Sequence, residues 1–310
     1  MTDTTREIFE KHEIRKTNEQ KAAFRDYLTS VAESEGYKVK TEKAGRNANN
    51  VIVGDPRSAK VVYTAHYDTC PVMPFPNFIA PKCIPIYIIY QVIMSLVLYI
   101  IPISVMISSR IVYDATESKP LFLSLLCIGY VLLIAVMLLI LFGPANKHTA
   151  NDNTSGVTLL IDLMKSMPSE ERGKVAYIFF DLEERGTVGS KLYAKKHSFA
   201  KKNMLLVNFD CVSDGKNILF VAKKRAATFS DKLTEAFKPE GDYTVEVATK
   251  GVFYPSDQRN FELGVGVSAL NKTKRGLLYM NKIHTKRDTV YDEENIDFLR
   301  RGAIELVKII

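Results

Sequence analysis

The sequence predicts an α/β fold: a mainly parallel, mixed sheet sandwiched by helices and interrupted by a two-helix transmembrane hairpin. Three observations predict it. Apolar, β-branched runs such as VVYTAHYD from Val61, VAYIFFDLEERG from Val175 and MLLVNFDCV from Met204 alternate with helix-spaced segments, the pattern of a parallel sheet covered on both faces. Several of these runs end in a histidine or an acid. Between the first run and the others lie residues 84–109 and 121–142, both without a charged side chain and both long enough to cross a hydrocarbon layer of about 30 Å.

At 310 residues with 46% apolar side chains, the chain has material for one large domain or two. The net charge of +7 is scattered. Its short clusters, Lys223 to Arg225 and Lys272 to Arg275, read as solvated faces, because no aromatic-interleaved or helix-turn-helix pattern accompanies them. Nucleic acid is therefore excluded as a partner. Cys70, Cys83, Cys127 and Cys211 have no paired spacing and read as reduced thiols, which favours a cytosolic-facing protein. The charged amino-terminal stretch has no apolar centre of the kind an export signal needs.

Taken in order, Asn18 to Glu35 sets Ala22, Phe24, Tyr27, Leu28 and Val31 at near-helical spacing behind a Thr17 cap, so it predicts an amphipathic helix. Tyr37 to Val39 and Asn50 to Val53 read as strands around a polar KAGRNAN turn, closed by Gly54-Asp55-Pro56. The strand from Lys60 ends in His66 and Asp68. The two uncharged segments follow, separated by Arg110 to Pro120. Core helices usually carry a polar stripe and stop sooner, so these read as membrane spans rather than buried helices. Pro85 and Pro102 are tolerated near the ends or in a kink of such a span. The expected division is a discontinuous catalytic unit of residues 1–78 and 145–310, with residues 79–144 as the inserted hairpin.

Beyond the hairpin, Val157, Leu160, Ile161 and Met164 form one face of a helix within Asn151 to Met167, with Asp152 just ahead of it. The strand from Val175 delivers Glu183 and Glu184 at its exit, and Gly186 lets the backbone turn. Asp210 ends the strand within Met204 to Val212. Strands at Ile218 to Ala222, Tyr243 to Ala248, Val265 to Leu270 and Leu277 to Ile283 follow, with a helix near Ser230 to Phe237. The last strand is expected to exit at His284, before a closing helix at Asn295 to Ile310.

Five places thus join a strand end or loop to a metal-competent side chain: His66, Asp152, Glu183 with Glu184, Asp210 and His284. Nitrogen and carboxylate donors without thiolates suit catalytic zinc or a similar divalent ion. Two histidines and three carboxylates would serve two ions around a shared carboxylate, leaving the spare glutamate as general base.

HYD at His66 to Asp68, NDNTSG from Asn151, DLEERGTVGS from Asp181, NFD at Asn208 to Asp210 and HTKRDT from His284 together resemble the co-catalytic dizinc aminopeptidases, the family of bacterial leucyl aminopeptidases with glutamate carboxypeptidases, glutaminyl cyclases and transferrin receptors as relatives. The resemblance covers the chain outside Pro71 to His148. It implies two zinc ions, with cobalt or manganese as alternatives. His66 and Asp210 would bind one ion, Glu184 and His284 the other, with Asp152 bridging and Glu183 as general base. Asp68 would fix the tautomer of His66. Tyr254 is a candidate for the oxyanion, although Gln258 stands where relatives often carry histidine. Asp288 matches a family position and equally suits a cap for the closing helix. The implied activity is removal of amino-terminal residues from peptides by a membrane-anchored enzyme. Three other readings remain open. A carboxypeptidase or amidohydrolase would need a larger insertion than the 73 residues between Asp210 and His284. A glutaminyl cyclase would use one zinc. A receptor-like protein would have lost the chemistry.

Both halves of the site must meet on one side of the membrane, which requires an even number of spans. Lys82 and Lys147 balance Arg110 and Lys119 across them, so charge does not fix the orientation. The thiols, the absent export signal and the long polar stretch before the first span place the catalytic unit in the cytoplasm.

Overall fold

The computed structural model describes residues 2–45 and 47–310; Arg46 of the expected KAGRNAN turn lies outside them. Helix α1 (Asp3–Lys11) opens the chain, capped by the Thr2 hydroxyl. The sequence predicts no element there, because Ile8 and Phe9 are its only large apolar residues and set no helical period. Helix α2 (Asn18–Ser34) starts at the expected Thr17, which forms a reciprocal capping box with Gln20. Strands β1 (Val39–Ala44) and β2 (Ala48–Val53) form a hairpin. β1 starts later than Tyr37 because, as an edge strand, it holds polar Lys40, Glu42 and Lys43 and offers no apolar alternation to read. β3 (Val61–His66), β4 (Val175–Phe180), β5 (Leu205–Phe209) and β8 (Gly264–Lys272) run parallel at the centre of the sheet.

β6 (Asn217–Ala222) lies antiparallel to β8 and carries β7 (Thr244–Ala248) at the far edge. The full order is β1-β2-β4-β3-β5-β8-β6-β7, with β9 (Leu278–Tyr279) paired to β8. The expected strand Leu277 to Ile283 shrinks to those two residues. Its later backbone groups pair instead with the loop before the hairpin: Ile79 bridges Met280, and the Met73 and Asn77 N–H groups donate to the His284 and Ile283 carbonyls. His284 therefore leaves an irregular segment rather than a strand end.

The period of two in β4 divides the core. Val175, Tyr177 and Phe179 join the cluster under α1, α2, α5 (Ser155–Ser166), α8 (Ser230–Ala236) and α9 (Glu293–Ile309). Ala176, Ile178 and Phe180 face the other way, against α6 (Val188–Lys196) and α7 (Ser198–Asn203).

Helices α3 (Ile84–Thr116) and α4 (Lys119–Phe142) project from this body. At 1.5 Å per residue they are roughly 50 and 36 Å long. Their only buried residues are Pro102, Ser109 and Gly129. A Cβ on Gly129 would meet the Met106 side chain at 2.3 Å and the Pro102 carbonyl at 3.3 Å, so glycine sets the close approach of the two helices. Among the described residues, every exposed large hydrophobic side chain except Phe75 and Phe199 lies on this hairpin.

One buried ion pair ties the first helix layer to the strand exit. Lys21 on α2 reaches Asp181 at 2.8 Å with both side chains almost fully enclosed, and the other Asp181 oxygen accepts the Asn49 N–H. Burial and the nearby Asp68 raise the Asp181 carboxyl, while Lys21 opposes the rise. Lys21→Met removes one partner of a buried pair and is expected to destabilise the fold by about 3–5 kcal/mol. Without Lys21 the raised Asp181 pKa rises further, so the folded state gains from protonation. The deficit is largest at pH 8 and shrinks as the pH falls through that pKa; equal deficits at pH 5 and pH 8 in chemical denaturation would contradict this account.

Candidate metal centre

The parallel strands β3, β4 and β5 deliver their carboxyl ends to one edge, with His66 beside Phe180 in register. His66 ends β3, Glu183 and Glu184 follow β4, and Asp210 follows β5. Asp152 comes from the loop ahead of α5, and His284 from the segment after β9. The His66 Nε2 lies 3.3 Å from Asp152 Oδ1 and 3.5 Å from Asp210 Oδ1. His284 Nε2 lies 3.1 Å from Asp152 Oδ2 and 3.2 Å from Glu184 Oε2. Asp152 thus turns one oxygen toward each histidine, between Asp210 on one side and Glu184 on the other.

Left-handed backbone shapes three of these turns without glycine. Leu182 (φ 57°) precedes the glutamates, Cys211 (φ 57°) follows Asp210, and His284 itself has φ 63°. Each costs on the order of 1 kcal/mol or more, strain that the surrounding packing sustains. Glycine is needed at Gly156, where a Cβ would come within 2.4 Å of the Phe209 carbonyl and 2.5 Å of Asn153 Oδ1. That approach lets the Asn153 amide hold the β5 end through Phe209 while its oxygen accepts the Gly156 N–H.

Residues behind the centre fix its backbone. The Asp68 carboxylate accepts the N–H groups of Glu183 at 2.9 Å and Glu184 at 3.3 Å, so it holds the glutamate turn. His66 Nδ1 lies closer to the Asp68 carbonyl, at 3.1 Å, than to the Asp68 carboxylate, at 3.6 Å. A carbonyl only accepts, so Nδ1 carries a proton and Nε2 presents its lone pair in the neutral ring. Asp288 accepts the N–H groups of Asn151 and Asp152 at 2.8 and 3.0 Å. The alternative role weighed for it, capping α9, belongs to Asp292, which accepts from Glu294 and Asn295.

The Tyr254 hydroxyl lines the cleft and donates to the Asp210 carbonyl at 2.9 Å. Reading the sequence missed Arg15, fully buried and donating to the Tyr67 carbonyl and Thr154 hydroxyl, and Asp257, which accepts from Ser190. Burial pushes Asp257 and Asp288 up to about 7. Asp257 directly precedes Gln258, whose position had been singled out, and that was its only signal; Arg15 gave none.

The electrostatics call for a cation. Burial pulls the His66 pKa down, but Asp152, Asp210 and Asp68 outweigh it and hold it well above its usual value. Burial raises Asp152, yet His284 and His66 together hold it below the ordinary carboxylate range. Glu183 is pushed well above its usual value by burial first, then by Asp257, Asp210 and Glu184 against the pull of His66. The spaces between the histidine nitrogens and these carboxylates therefore take positive charge, either a proton or a metal ion. Buried His66 Nε2 and Glu184 Oε1 have no hydrogen-bond partner among the described residues. Donors about 3.4 Å apart are what a tetrahedral zinc with bonds near 2.1 Å requires. The residues present fit such ions.

The cleft over these groups has a volume of about 480 Å³, with Lys191 and Arg259 also on its walls. A larger depression of about 1010 Å³ between α1, α5 and α9 contains none of the metal-competent groups.

A mixed sheet with His66, Glu184 and Asp210 at the exits of its parallel strands, and Asp152 and His284 brought in by loops, has the architecture of zinc exopeptidase folds. The chain belongs to Peptidase family M28, whose family model matches residues 136–306. Its structure is similar to a Zn-dependent exopeptidase from Parabacteroides distasonis, with 16% identity, a TM-score of 0.57, and coverage of 98% of this chain and 97% of that one. It is also similar to the Bacteroides thetaiotaomicron glutaminyl cyclase, at 15% identity and TM-score 0.57, covering 98% and 97%. The Legionella pneumophila LapA aminopeptidase gives 13% identity and TM-score 0.56, covering 98% of this chain and 67% of that one. At these identities the likeness is one of fold. No curated protein sequence matches the chain.

Proposed function

We propose that this chain is a membrane-anchored aminopeptidase that uses two zinc ions to remove amino-terminal residues from peptides. The observation that carries the reading is Asp152, placed with one oxygen toward each histidine. His66 and Asp210 would hold one ion, Glu184 and His284 the other, with Asp152 shared. Bound there, the ions would supply Lewis acidity and lower the pKa of a coordinated water.

Glu183 would then accept a proton from the attacking water and return it to the departing amine, a task that its burial-raised carboxyl suits. Asp68 positions that base through the Glu183 N–H. The Tyr254 hydroxyl, engaged with the Asp210 carbonyl in this structure, would turn to the oxyanion only by giving up that bond. The modest cleft favours release of one residue at a time over cutting within a long chain. Zinc-loaded protein is expected to cleave amino-acyl peptides and not their amino-acetylated forms, with a chelator abolishing turnover and zinc restoring it. Equal cleavage of both forms, or a metal-loaded but inert protein, would overturn the reading.

The same reading takes residues 1–78 and 145–310 as the catalytic unit and residues 79–144 as a hairpin inserted in a bilayer. Support comes from the nearly unburied apolar surfaces of α3 and α4, which water would leave exposed. Both hairpin ends join the catalytic body, through Pro71 with Ala145 and Ile79 with Met280, so they share its side of the membrane. Four free cysteines suit the cytoplasm. A reporter in the Tyr113 to Ser118 loop is expected outside; a cytoplasmic signal there would reverse the orientation.

A further inference from the structure

Cys70, four residues beyond His66, brings a sulfur to a centre of nitrogen and oxygen donors. Its Sγ, a Glu184 carboxylate oxygen and a His284 ring nitrogen all lie within 4.8 Å of one another. The thiol is buried. The Glu184 side chain is 7% exposed, and its Oε1 has no hydrogen-bond partner among the described residues. A buried cysteine ordinarily packs as a small apolar group. Cys211 does so, in a cluster with Ile79, Leu219 and Tyr254, and its thiol also donates to Asp210 Oδ1 at 3.1 Å. Cys70 belongs to none of the apolar clusters of the described residues. Its neighbours instead fix it toward the His284 segment. The Asn146 N–H donates to the Cys70 carbonyl at 3.1 Å, and the Asn146 side-chain amide, bonded to the Thr285 carbonyl at 3.1 Å, lies 4.0 Å from the Cys70 Sγ.

We propose that the Cys70 thiolate is a protein donor to the ion held by Glu184 and His284. The inference rests on the two-zinc reading above and adds a sulfur ligand to it. Zinc accepts mixed sulfur, nitrogen and oxygen donors. On binding, an S–Zn bond replaces the S–H bond and the proton leaves to water. Asp152 Oδ2, 3.1 Å from His284 Nε2, completes a set of four donors: Cys70, Glu184, His284 and Asp152. Four protein donors close a tetrahedral site, whereas three leave a position for water or substrate. The other position has three, His66, Asp210 and Asp152. The centre is thereby asymmetric, with a tightly held ion at His284 and an exchangeable, open one at His66.

The test is zinc-edge X-ray absorption on the full-length protein in detergent, which counts sulfur neighbours whatever the activity. Wild-type protein loaded with two zinc ions is expected to show one sulfur at about 2.3 Å for every two ions. Dialysis against a weak chelator should remove the ion at His66 first, so the ratio should rise to one sulfur per zinc. In Cys70→Ser the sulfur signal should vanish, and the tighter ion should lose at least about tenfold in affinity against a chromophoric chelator. Cys127→Ser, on the exposed surface of α4, should match the wild type. Nitrogen and oxygen neighbours alone in the loaded wild type overturn the proposal, and that measurement stands whether or not Cys70→Ser folds. A sulfur signal that survives Cys70→Ser and is lost in Cys211→Ser overturns it too. Wild-type protein that takes up one zinc with one sulfur, lost in Cys70→Ser, supports the Cys70 donor and overturns the two-ion reading; protein that takes up no zinc overturns both.

Discussion

Glu183→Gln should lower kcat by about 10²–10⁴-fold while metal content stays at the wild-type level. The amide keeps the shape of the side chain and the backbone bond from the Glu183 N–H to Asp68, so the turn that carries Glu184 stays in place. What it removes is the proton acceptor of the proposed mechanism. Glu183 is not among the groups within ion-pair distance of either histidine, whereas Glu184 lies 3.2 Å from His284. Glu184→Gln should accordingly lose an ion together with turnover. Metal analysis of the two purified variants decides between the roles. A Glu183→Gln protein that also arrives short of metal would make Glu183 a ligand and leave the base unassigned.

On the two-zinc reading, Asp152→Asn should affect both ions at once. The aspartate has an oxygen for each histidine; the amide has one oxygen and one N–H₂, so one of the two positions loses its anionic donor and gains a hydrogen facing it. Changes to residues that merely orient metal ligands cost about 10–100-fold in affinity, and the loss of a shared donor should exceed that. Metal stoichiometry measured after dialysis is expected to fall below that of either Glu184→Gln or an Asp210→Asn control, with turnover undetectable. The local backbone should persist, because Asp288 holds the N–H groups of Asn151 and Asp152 and not the side chain. A variant that retains full metal would show that Asp152 is not shared.

Both predictions start from residues the sequence had singled out, and the reason lies in strand chemistry. A parallel strand buried on both faces reads as a continuous apolar run, so VAYIFF and LLVNF announce themselves, and a polar side chain that breaks such a run falls at its exit. His66, Glu183, Glu184 and Asp210 were legible for that reason. The two long helices of the hairpin were legible because the length of a run and its lack of charge can be counted. α1 was not legible, since a short polar helix is held by contact with the core more than by its own pattern.

The supporting residues were harder to read because their partners are distant in sequence. Lys21 is 160 residues from Asp181, Asp288 is 136 from Asp152, and Asp68 is 115 from Glu183. Nothing local distinguishes a clamp such as Asp288 from a helix cap such as Asp292, because both are acids before a helix and both accept backbone N–H groups. The left-handed residues Leu182, Cys211 and His284 gave no warning either, since the usual signal for that conformation is glycine. His284 shows the limit most clearly. Its residue type suggested a ligand, but a strand exit was expected to aim it, and an irregular segment bound to the loop before the hairpin aims it instead.

The sequence by itself determined the sheet's central strands, the acids and histidine at their ends, and the two long apolar helices, because burial writes local apolar patterns and a long helix without charge is a run that can be counted. Only the tertiary structure decided that Asp152 stands between two histidines, that Asp68 and Asp288 hold backbone, and that the loop before the hairpin holds the His284 segment. Those are contacts between segments far apart in the chain, and their geometry exists only once packing has brought the segments together.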